Sequence, residues 1–225
     1  MTSTPSTDSS ARCELDHLVW AVPDLERGID ALEKHLGARA LPGGRHPGVG
    51  TRNALLEIGD RRYLEILAPD PDQDSFRGFG LWVEDLRSPK LVTWAVRTHD
   101  LEAWCAAAEA AGLLPTRPAA MRRDRLSGES LEWRLAALGQ TRRGLLPFAI
   151  EWGAAHPCDD LPESGCRLLE LRLQHPEPRD IVGRLGDLGF DLQAATPGES
   201  RASVGPGPHQ CTAIFDTPRG RVELG

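Results

Sequence analysis

Three ionisable side chains stand alone among apolar residues in segments that have the composition of β-strands: His17, Glu65 and Glu151. Alternate side chains of a strand point to opposite faces of its sheet, so each of these groups shares a face with apolar neighbours. A buried carboxylate without a counter-charge is costly. We therefore predict that both glutamates are neutralised, either by a divalent cation shared with His17 or by an arginine on a neighbouring strand, such as Arg97.

A second group of side chains is suited to binding a ligand: His46, Arg52, Asn53 and Trp133. The first three lie on or beside a segment rich in Gly and Pro, residues 42–50, which is typical of a bent chain between strands. Arginine and asparagine there can hold a carboxylate or a carbonyl group, and Trp133 can form a flat apolar wall. Structural roles remain open, because an asparagine can close a turn and a tryptophan can fill a core.

An internal repeat indicates which elements position these residues. The segment Leu15–Val22 returns as Lys90–Arg97, with Trp-Ala-Val in common at Trp20 and Trp94. Each copy continues with an aspartate suited to cap a helix and with a helical stripe of apolar residues that ends at a glycine. Three further strand-like segments complete each copy, so both copies are predicted to be β-α-β-β-β units.

The units define the predicted organisation of the chain. Residues near the N-terminus are rich in Ser and Thr and almost devoid of apolar groups, which favours disorder. The predicted parts are a disordered tail at residues 1–12, paired units at 13–153 (13–68 and 89–153), a linker at 154–165 and a third, diverged β-α-β-β-β unit at 166–225.

Composition excludes several classes of function. The net charge of −7, from 26 basic and 33 acidic residues, disfavours a protein that neutralises a nucleic-acid backbone. No apolar run approaches the ~20 residues that cross a bilayer, so no membrane partner is expected. The five cysteines are scattered and form no CxxC motif, which favours reduced thiols in a cytoplasmic protein.

The repeat and its motifs resemble the vicinal oxygen chelate superfamily, in particular its glyoxalase-like branch. The matching segments span nearly the whole chain from Leu15 on: Leu15–Leu25, Gly43–Gly48, Gly50–Asn53, Tyr63–Glu65, Pro147–Trp152 and Asp216–Gly220. The resemblance implies an α+β fold in which two β-α-β-β-β modules pair into an eight-stranded open cup, accompanied here by the third, diverged module.

The resemblance also implies a divalent metal inside the cup, held by residues on the first and last strands of the modules. His17 and Glu65 match the ligand positions of the first module, and Glu151 matches the last-strand position of the second. One imidazole and two carboxylates suit Mn, Fe, Ni or Zn. The remaining first-strand position, aligned through Trp94, is Leu91, which cannot bind a metal.

Two functions from different classes are open at this point. One is a metal-dependent enzyme of lyase or isomerase type acting on a small molecule with adjacent oxygens, in which Glu151 leaves the metal and moves a proton. The other is a metal-free protein that sequesters a small molecule, as drug-resistance members of the superfamily do, and the missing fourth ligand favours it. The third module either pairs with its own copy in a homodimer or covers one edge of the cup.

Overall fold

The computed structural model of the chain describes residues 12–124, 130–139, 144–192 and 200–225. The described residues form two β-sheets and three α-helices. Except for Arg12, the predicted disordered tail lies outside the described residues. None of the described helices has the length and apolar character that a membrane crossing requires.

Eight strands form the larger sheet: β1 (Glu14–Ala21), β2 (Leu41–His46), β3 (Thr51–Glu57), β4 (Tyr63–Pro69), β5 (Lys90–Arg97), β6 (Ala119–Asp124), β7 (Ser130–Ala136) and β8 (Phe148–Trp152). Their spatial order is β2-β3-β4-β1-β5-β8-β7-β6. The strands form two four-stranded units that are arranged symmetrically about the β1–β5 contact. The units meet where β1 pairs with β5 in antiparallel orientation. The predicted pairing of two β-α-β-β-β units into an eight-stranded cup is therefore confirmed.

Both units place their helix on the same side of this sheet. The helices α1 (Leu25–Leu36) and α2 (Leu101–Ala110) begin at Asp24 and Asp100, whose carboxylates accept hydrogen bonds from backbone N–H groups of the first turn. The apolar faces of both helices join one core cluster. A second, smaller cluster lies on the other face of the sheet, which the helices leave open.

The register of β1 against β5 decides which residues of the two units correspond. His17 pairs with Ala95, and Val19 pairs with Thr93. A two-fold axis between the units exchanges one pair with the other. Thr93 is then the counterpart of His17, and Ala95 is the counterpart of Val19. The capping aspartates support this assignment, because they are separated by the same 76 residues as His17 and Thr93.

The predicted alignment of Trp20 with Trp94 is two residues out of register. Trp94 pairs with Leu18, and the two-fold axis makes Leu18, rather than Trp20, the counterpart of Trp94. A bulge at Val92 then places Leu91 opposite Trp20, in the core on the helix side. The alignment fails because Trp20 lies four residues before its helix cap and Trp94 lies six residues before its own.

The smaller sheet contains β9 (Arg167–His175), β10 (Arg201–Pro206), β11 (Gln210–Thr217) and β12 (Gly220–Leu224), with helix α3 (Pro178–Asp187) between β9 and β10. The predicted element order β-α-β-β-β is present, but the spatial order is β10-β9-β11-β12. Here α3 returns the chain to a strand directly beside β9, in parallel orientation. Because β9 is flanked on both sides, it cannot pair edge to edge as β1 and β5 do.

The smaller sheet packs on the helix side of the larger one. Phe190, just after α3, contacts Trp94 with ring centroids 5.0 Å apart. The backbone N–H of Leu168 donates to the carbonyl oxygen of Ile58 at 2.9 Å. Buried residues of both sheets form one continuous core cluster. The concave face of the larger sheet is thereby left available for a site.

Candidate functional site

The concave face of the larger sheet forms a cup with a cavity of about 80 Å³ that opens to solvent. A cavity of this size has room for several water molecules and hence for a small ligand. The first unit lines it with polar groups, whereas the second unit and the segment between the units supply aromatic rings. We call the first set the polar wall (His17, His46, Asn53, Glu65) and the second the aromatic wall (Phe79, Trp82, Trp133, Phe148, Trp152).

An irregularity in β1 makes two consecutive side chains part of the site. The register shifts between Leu15 and His17, which leaves Asp16 as an extra residue in the ladder with β5. The fully buried Asp16 accepts a hydrogen bond from Nδ1 of His17 at 2.6 Å. This bond assigns a ring proton to Nδ1, so in the neutral tautomer of His17 the lone pair is on Nε2, on the cup side.

Asp16 is held by two further donors. Nε1 of Trp152 and Nε2 of His156 each donate to its Oδ2 at 3.1 Å. His156 carries its proton on Nε2 because its Nδ1 accepts from the backbone N–H of Cys158. Burial alone would raise the pKa of Asp16, but the hydrogen bonds from His156 and His17 hold that pKa well below its ordinary value. Asp16 is therefore an ionised carboxylate inside a satisfied network.

Glu65 is the carboxylate of the polar wall. Its Oε1 accepts a hydrogen bond from Nδ2 of Asn53 at 2.6 Å. Its Oε2 lies 3.9 Å from Nε2 of His17, which is beyond hydrogen-bond distance. The side chain of Glu65 is 12% exposed, so little solvent reaches it. Two acceptor atoms, Oε2 of Glu65 and Nε2 of His17, thus face the same small space.

His46 completes the polar wall from β2. Its Nδ1 lies 2.8 Å from the hydroxyl of Thr51, and its Nε2 lies 4.0 Å from Oε1 of Glu65. Nδ2 of Asn53 approaches the same Nε2 to 3.4 Å. Burial lowers the pKa of His46 and outweighs the opposing charge of Glu65, so the ring is neutral at pH 7.

Aromatic rings surround the polar wall. Tyr63 stacks on His17 with ring centroids 4.5 Å apart, and burial raises the pKa of Tyr63 well above its ordinary value. Phe148 contacts His17 edge-on at 5.4 Å, and Phe79 lies 5.0 Å from Phe148. Trp133 lines the same cavity and also belongs to the core cluster on this face of the sheet.

The structure does not bring Glu151 to the polar wall, so the predicted ligand set His17, Glu65 and Glu151 requires correction. Its neighbours on β8 line the cup, which directs Glu151 to the opposite face. There its Oε2 accepts a hydrogen bond from Nη1 of Arg134 at 3.0 Å, and Arg134 also pairs with Glu102 of α2. Glu151 is thus neutralised by an arginine, as the alternative prediction proposed, but by Arg134.

The two arginines singled out from the sequence also lie outside the cup. Arg52 alternates with the cup-lining residues of β3 and pairs with Glu26 of α1 at 2.8 Å. Arg97 pairs with Glu14 at 2.7 Å, and its Nη1 lies 4.0 Å from Oδ2 of Asp16. Arg52 is therefore not placed to hold a ligand in the cup.

The second unit does not provide its share of a metal centre built from both units. The counterpart of His17 is Thr93. Glu65 pairs with Val19, two residues after His17. Phe148 pairs with Ala95, two residues after Thr93, so Phe148 is the counterpart of Glu65. A hydroxyl and a phenyl ring stand where a second pair of ligands is needed.

The first unit alone does not supply a metal centre either. The amide nitrogen of Asn53 already lies between Oε1 of Glu65 and Nε2 of His46, so a cation cannot share these two atoms, and only Oε2 of Glu65 and Nε2 of His17 remain as possible ligands. Within the described ranges, no group of three or more His, Cys, Asp or Glu side chains is arranged to hold a metal ion. The predicted divalent metal (Mn, Fe, Ni or Zn) therefore does not fit the residues present.

Sequence reasoning missed Asp16 and His156. Strand alternation assigns Asp16 to the face opposite His17, and only the bulge in β1 brings the two side chains together. His156 lies 140 residues further along the chain, so no local pattern connects it with Asp16. Phe79 and Trp82 of the cavity lining lie in a short segment where aromatic residues stand beside glycines, and this composition was the one sequence feature that could have pointed to them.

Comparison with known proteins agrees with this architecture. The family model described as a glyoxalase-like domain matches residues 15–189. The chain belongs to this glyoxalase-like family of the vicinal oxygen chelate superfamily. A comparison with the sequences of curated proteins gives no match.

Solved structures extend the fold comparison. A hypothetical protein from Staphylococcus aureus is 15% identical, covers 88% of both chains and gives a TM-score of 0.68. That coverage exceeds the extent of the larger sheet, so the shared fold includes part of the region that follows it. Methylmalonyl-CoA epimerase from Mycobacterium tuberculosis is 21% identical over 71% of this chain and 96% of that chain, with a TM-score of 0.45. The second likeness is too distant to inform function.

Proposed function

We propose that the chain binds a small organic molecule in the cup without a metal ion, and that sequestering this molecule is its function. The observation that carries the proposal is the division of the cup into a polar wall and an aromatic wall, with Thr93 and Phe148 at the places where a shared metal needs ligands. An apolar cavity with a few convergent polar groups is the usual form of a small-molecule site.

A metal-dependent lyase or isomerase acting on vicinal oxygens finds less support. Such chemistry needs a cation with open positions for two substrate oxygens. Its expected proton carrier, Glu151, lies on the far face of β8 beside Arg134. In the cup, the amide of Asn53 donates to Oε1 of Glu65, and Nδ1 of His46 lies 2.8 Å from the hydroxyl of Thr51.

We expect the melting temperature to change by less than about 1 °C when EDTA, Mn²⁺, Ni²⁺ or Zn²⁺ is added, because a ligand that does not bind the native state does not stabilise it. Elemental analysis of the purified protein gives the complementary measurement. A melting temperature that falls with EDTA and recovers with one of these ions would contradict the proposal.

Ligand binding itself is tested with a panel of small aromatic compounds. Trp82, Trp133 and Trp152 line the cavity, so binding is expected to change the tryptophan fluorescence. Leu135→Trp fills the cavity and should abolish the response. Leu114→Trp, at a side chain that is 67% exposed, adds the same ring at a distance from the cup and is the matched control.

A second candidate is an enzyme that moves a proton without a metal, and the Asp16–His17 pair is the specific observation in its favour. A carboxylate bonded to Nδ1 fixes the tautomer of His17 and stabilises the imidazolium that forms when Nε2 accepts a proton. Glu65 lies 3.9 Å away as a second proton carrier.

This candidate predicts catalysed exchange of C–H for C–D when small 2-oxo acids or α-hydroxy ketones are incubated with the protein in D₂O. His17→Gln should abolish the exchange seen by NMR, whereas His35→Gln on the exposed end of α1 should retain it. Exchange that persists in the His17 variant would rule out this mechanism.

A further inference from the structure

The space between His17 and Glu65 has a definite hydrogen-bonding character. In the neutral ring of His17, Nε2 is an acceptor, because the single ring proton is on Nδ1 and is donated to Asp16. Oε1 of Glu65 takes the amide of Asn53, and Oε2 faces the imidazole instead. The two acceptors, 3.9 Å apart, are too distant to share a proton directly and close enough to share one donor atom.

The geometry points to a ligand that carries a protonated amine, a deeper specification that rests on the proposed binding function. If a nitrogen lies about 2.9 Å from both acceptors, the acceptor–nitrogen–acceptor angle is about 85°. Two N–H bonds of an ammonium group can reach both acceptors with slightly bent hydrogen bonds. A carboxylate at the same place would face two lone pairs and be repelled.

Charge favours a cation over a neutral donor. Glu65 is nearly enclosed and its hydrogen-bond donor, Asn53, is a neutral amide. The ionised Asp16 lies directly behind His17. Arg123 also lines the cavity, and its guanidinium donates to the carbonyl oxygen of Gly43, where β6 approaches β2. The positive charge of Arg123 also acts on His46 and Tyr63 in the cup, so the two carboxylates, Glu65 and Asp16, stand against one guanidinium.

The rings near this space define the rest of the ligand. Phe148 meets His17 edge-on, and Phe79 packs against Phe148. Aromatic faces attract organic cations and also bury flat apolar groups. The ligand class is therefore a primary amine on a small aromatic or flat apolar skeleton.

Three probes of one shape test this inference: benzylamine, benzyl alcohol and benzoate. We expect benzylamine at pH 7 to bind at least about tenfold more tightly than benzyl alcohol, with benzoate weakest, in calorimetric titrations. Glu65→Gln should remove the preference for the amine. Glu151→Gln, a carboxylate on the outer face of the same sheet, is the matched control and should keep it.

Each outcome separates this inference from the proposed function. If the alcohol or benzoate binds as tightly as the amine, the cup binds small molecules but the inference about charge is wrong. If benzylamine fails while the fluorescence panel yields other ligands, the inference alone fails; if the panel also yields none, both proposals fail. Should Glu65→Gln prove unfolded by circular dichroism, His17→Gln replaces it, and an unchanged preference in that variant overturns the inference.

Discussion

Replacing Asp16 by asparagine is expected to lower the free energy of unfolding by about 3 kcal/mol, because an amide cannot accept hydrogen bonds from all three donors that surround this buried carboxylate. At least one of the His17, Trp152 or His156 N–H groups would be left facing the N–H₂ of the asparagine. Urea unfolding followed by circular dichroism measures the loss.

The same substitution should change His17. With an amide N–H beside Nδ1, the imidazole is expected to move its proton to Nε2, which turns the cup-facing acceptor into a donor. Nitrogen NMR of the histidine rings reports the tautomer. The altered ring should also weaken binding of benzylamine without preventing folding.

A neighbouring acid provides the control. Glu14→Gln removes a carboxylate from the same strand, but Glu14 is 69% exposed and pairs with Arg97 at the surface, so the change in stability should stay within about 0.5 kcal/mol. If Asp16→Asn were as mild as Glu14→Gln, the buried network would not stabilise the fold as argued.

Acid should reveal Asp16 as well. The pKa of Asp16 is lowered in the folded protein, so its contribution to stability is complete above the unfolded-state pKa of about 3.9 and is lost as the pH falls below that value. The wild-type protein should therefore lose stability more steeply than Asp16→Asn between about pH 5 and pH 3. Parallel acid profiles would contradict the ionised state assigned to Asp16.

The paired fold could be predicted from the sequence because its signals are local. Capping aspartates, helical apolar stripes and β-branched runs each specify an element within a few residues, and the Trp-Ala-Val repeat indicated two copies. The order of the third unit could not be read in this way. Its elements follow the same succession, but nothing within them states that β10 lies directly beside β9.

The candidate site was only partly predictable, for the same reason. His17, His46, Asn53, Glu65 and Trp133, which the sequence singled out, all line the cup. Glu151 was misplaced because the alternation of β8 tells which residues share a face but not which face is concave. Which face of β8 lines the cup is decided by the pairing of β8 with β5, in which Phe148 lies beside Ala95. This contact is between strands distant in sequence, so local alternation does not reveal it.

The pairing register of β1 and β5 identifies the two positions at which a metal centre could be built into the cup. Thr93→His together with Phe148→Glu would repeat the His17–Glu65 pair across the two-fold axis. Without metal the double variant should be less stable by several kcal/mol, since it buries a carboxylate and removes an aromatic core residue.

Zinc should then restore much of this stability. An ion at about 100 times its dissociation constant contributes about 2.7 kcal/mol to the native state, a rise of several degrees in melting temperature. The control is Leu91→His, the variant that the tryptophan alignment would call for beside the existing Glu151. Because Leu91 and Glu151 both lie on the helix side of the sheet, away from His17 and Glu65, this variant should lose stability and gain none with zinc. Zinc-dependent melting of Leu91→His, with none in the double variant, would show that Trp20 and Trp94 correspond after all.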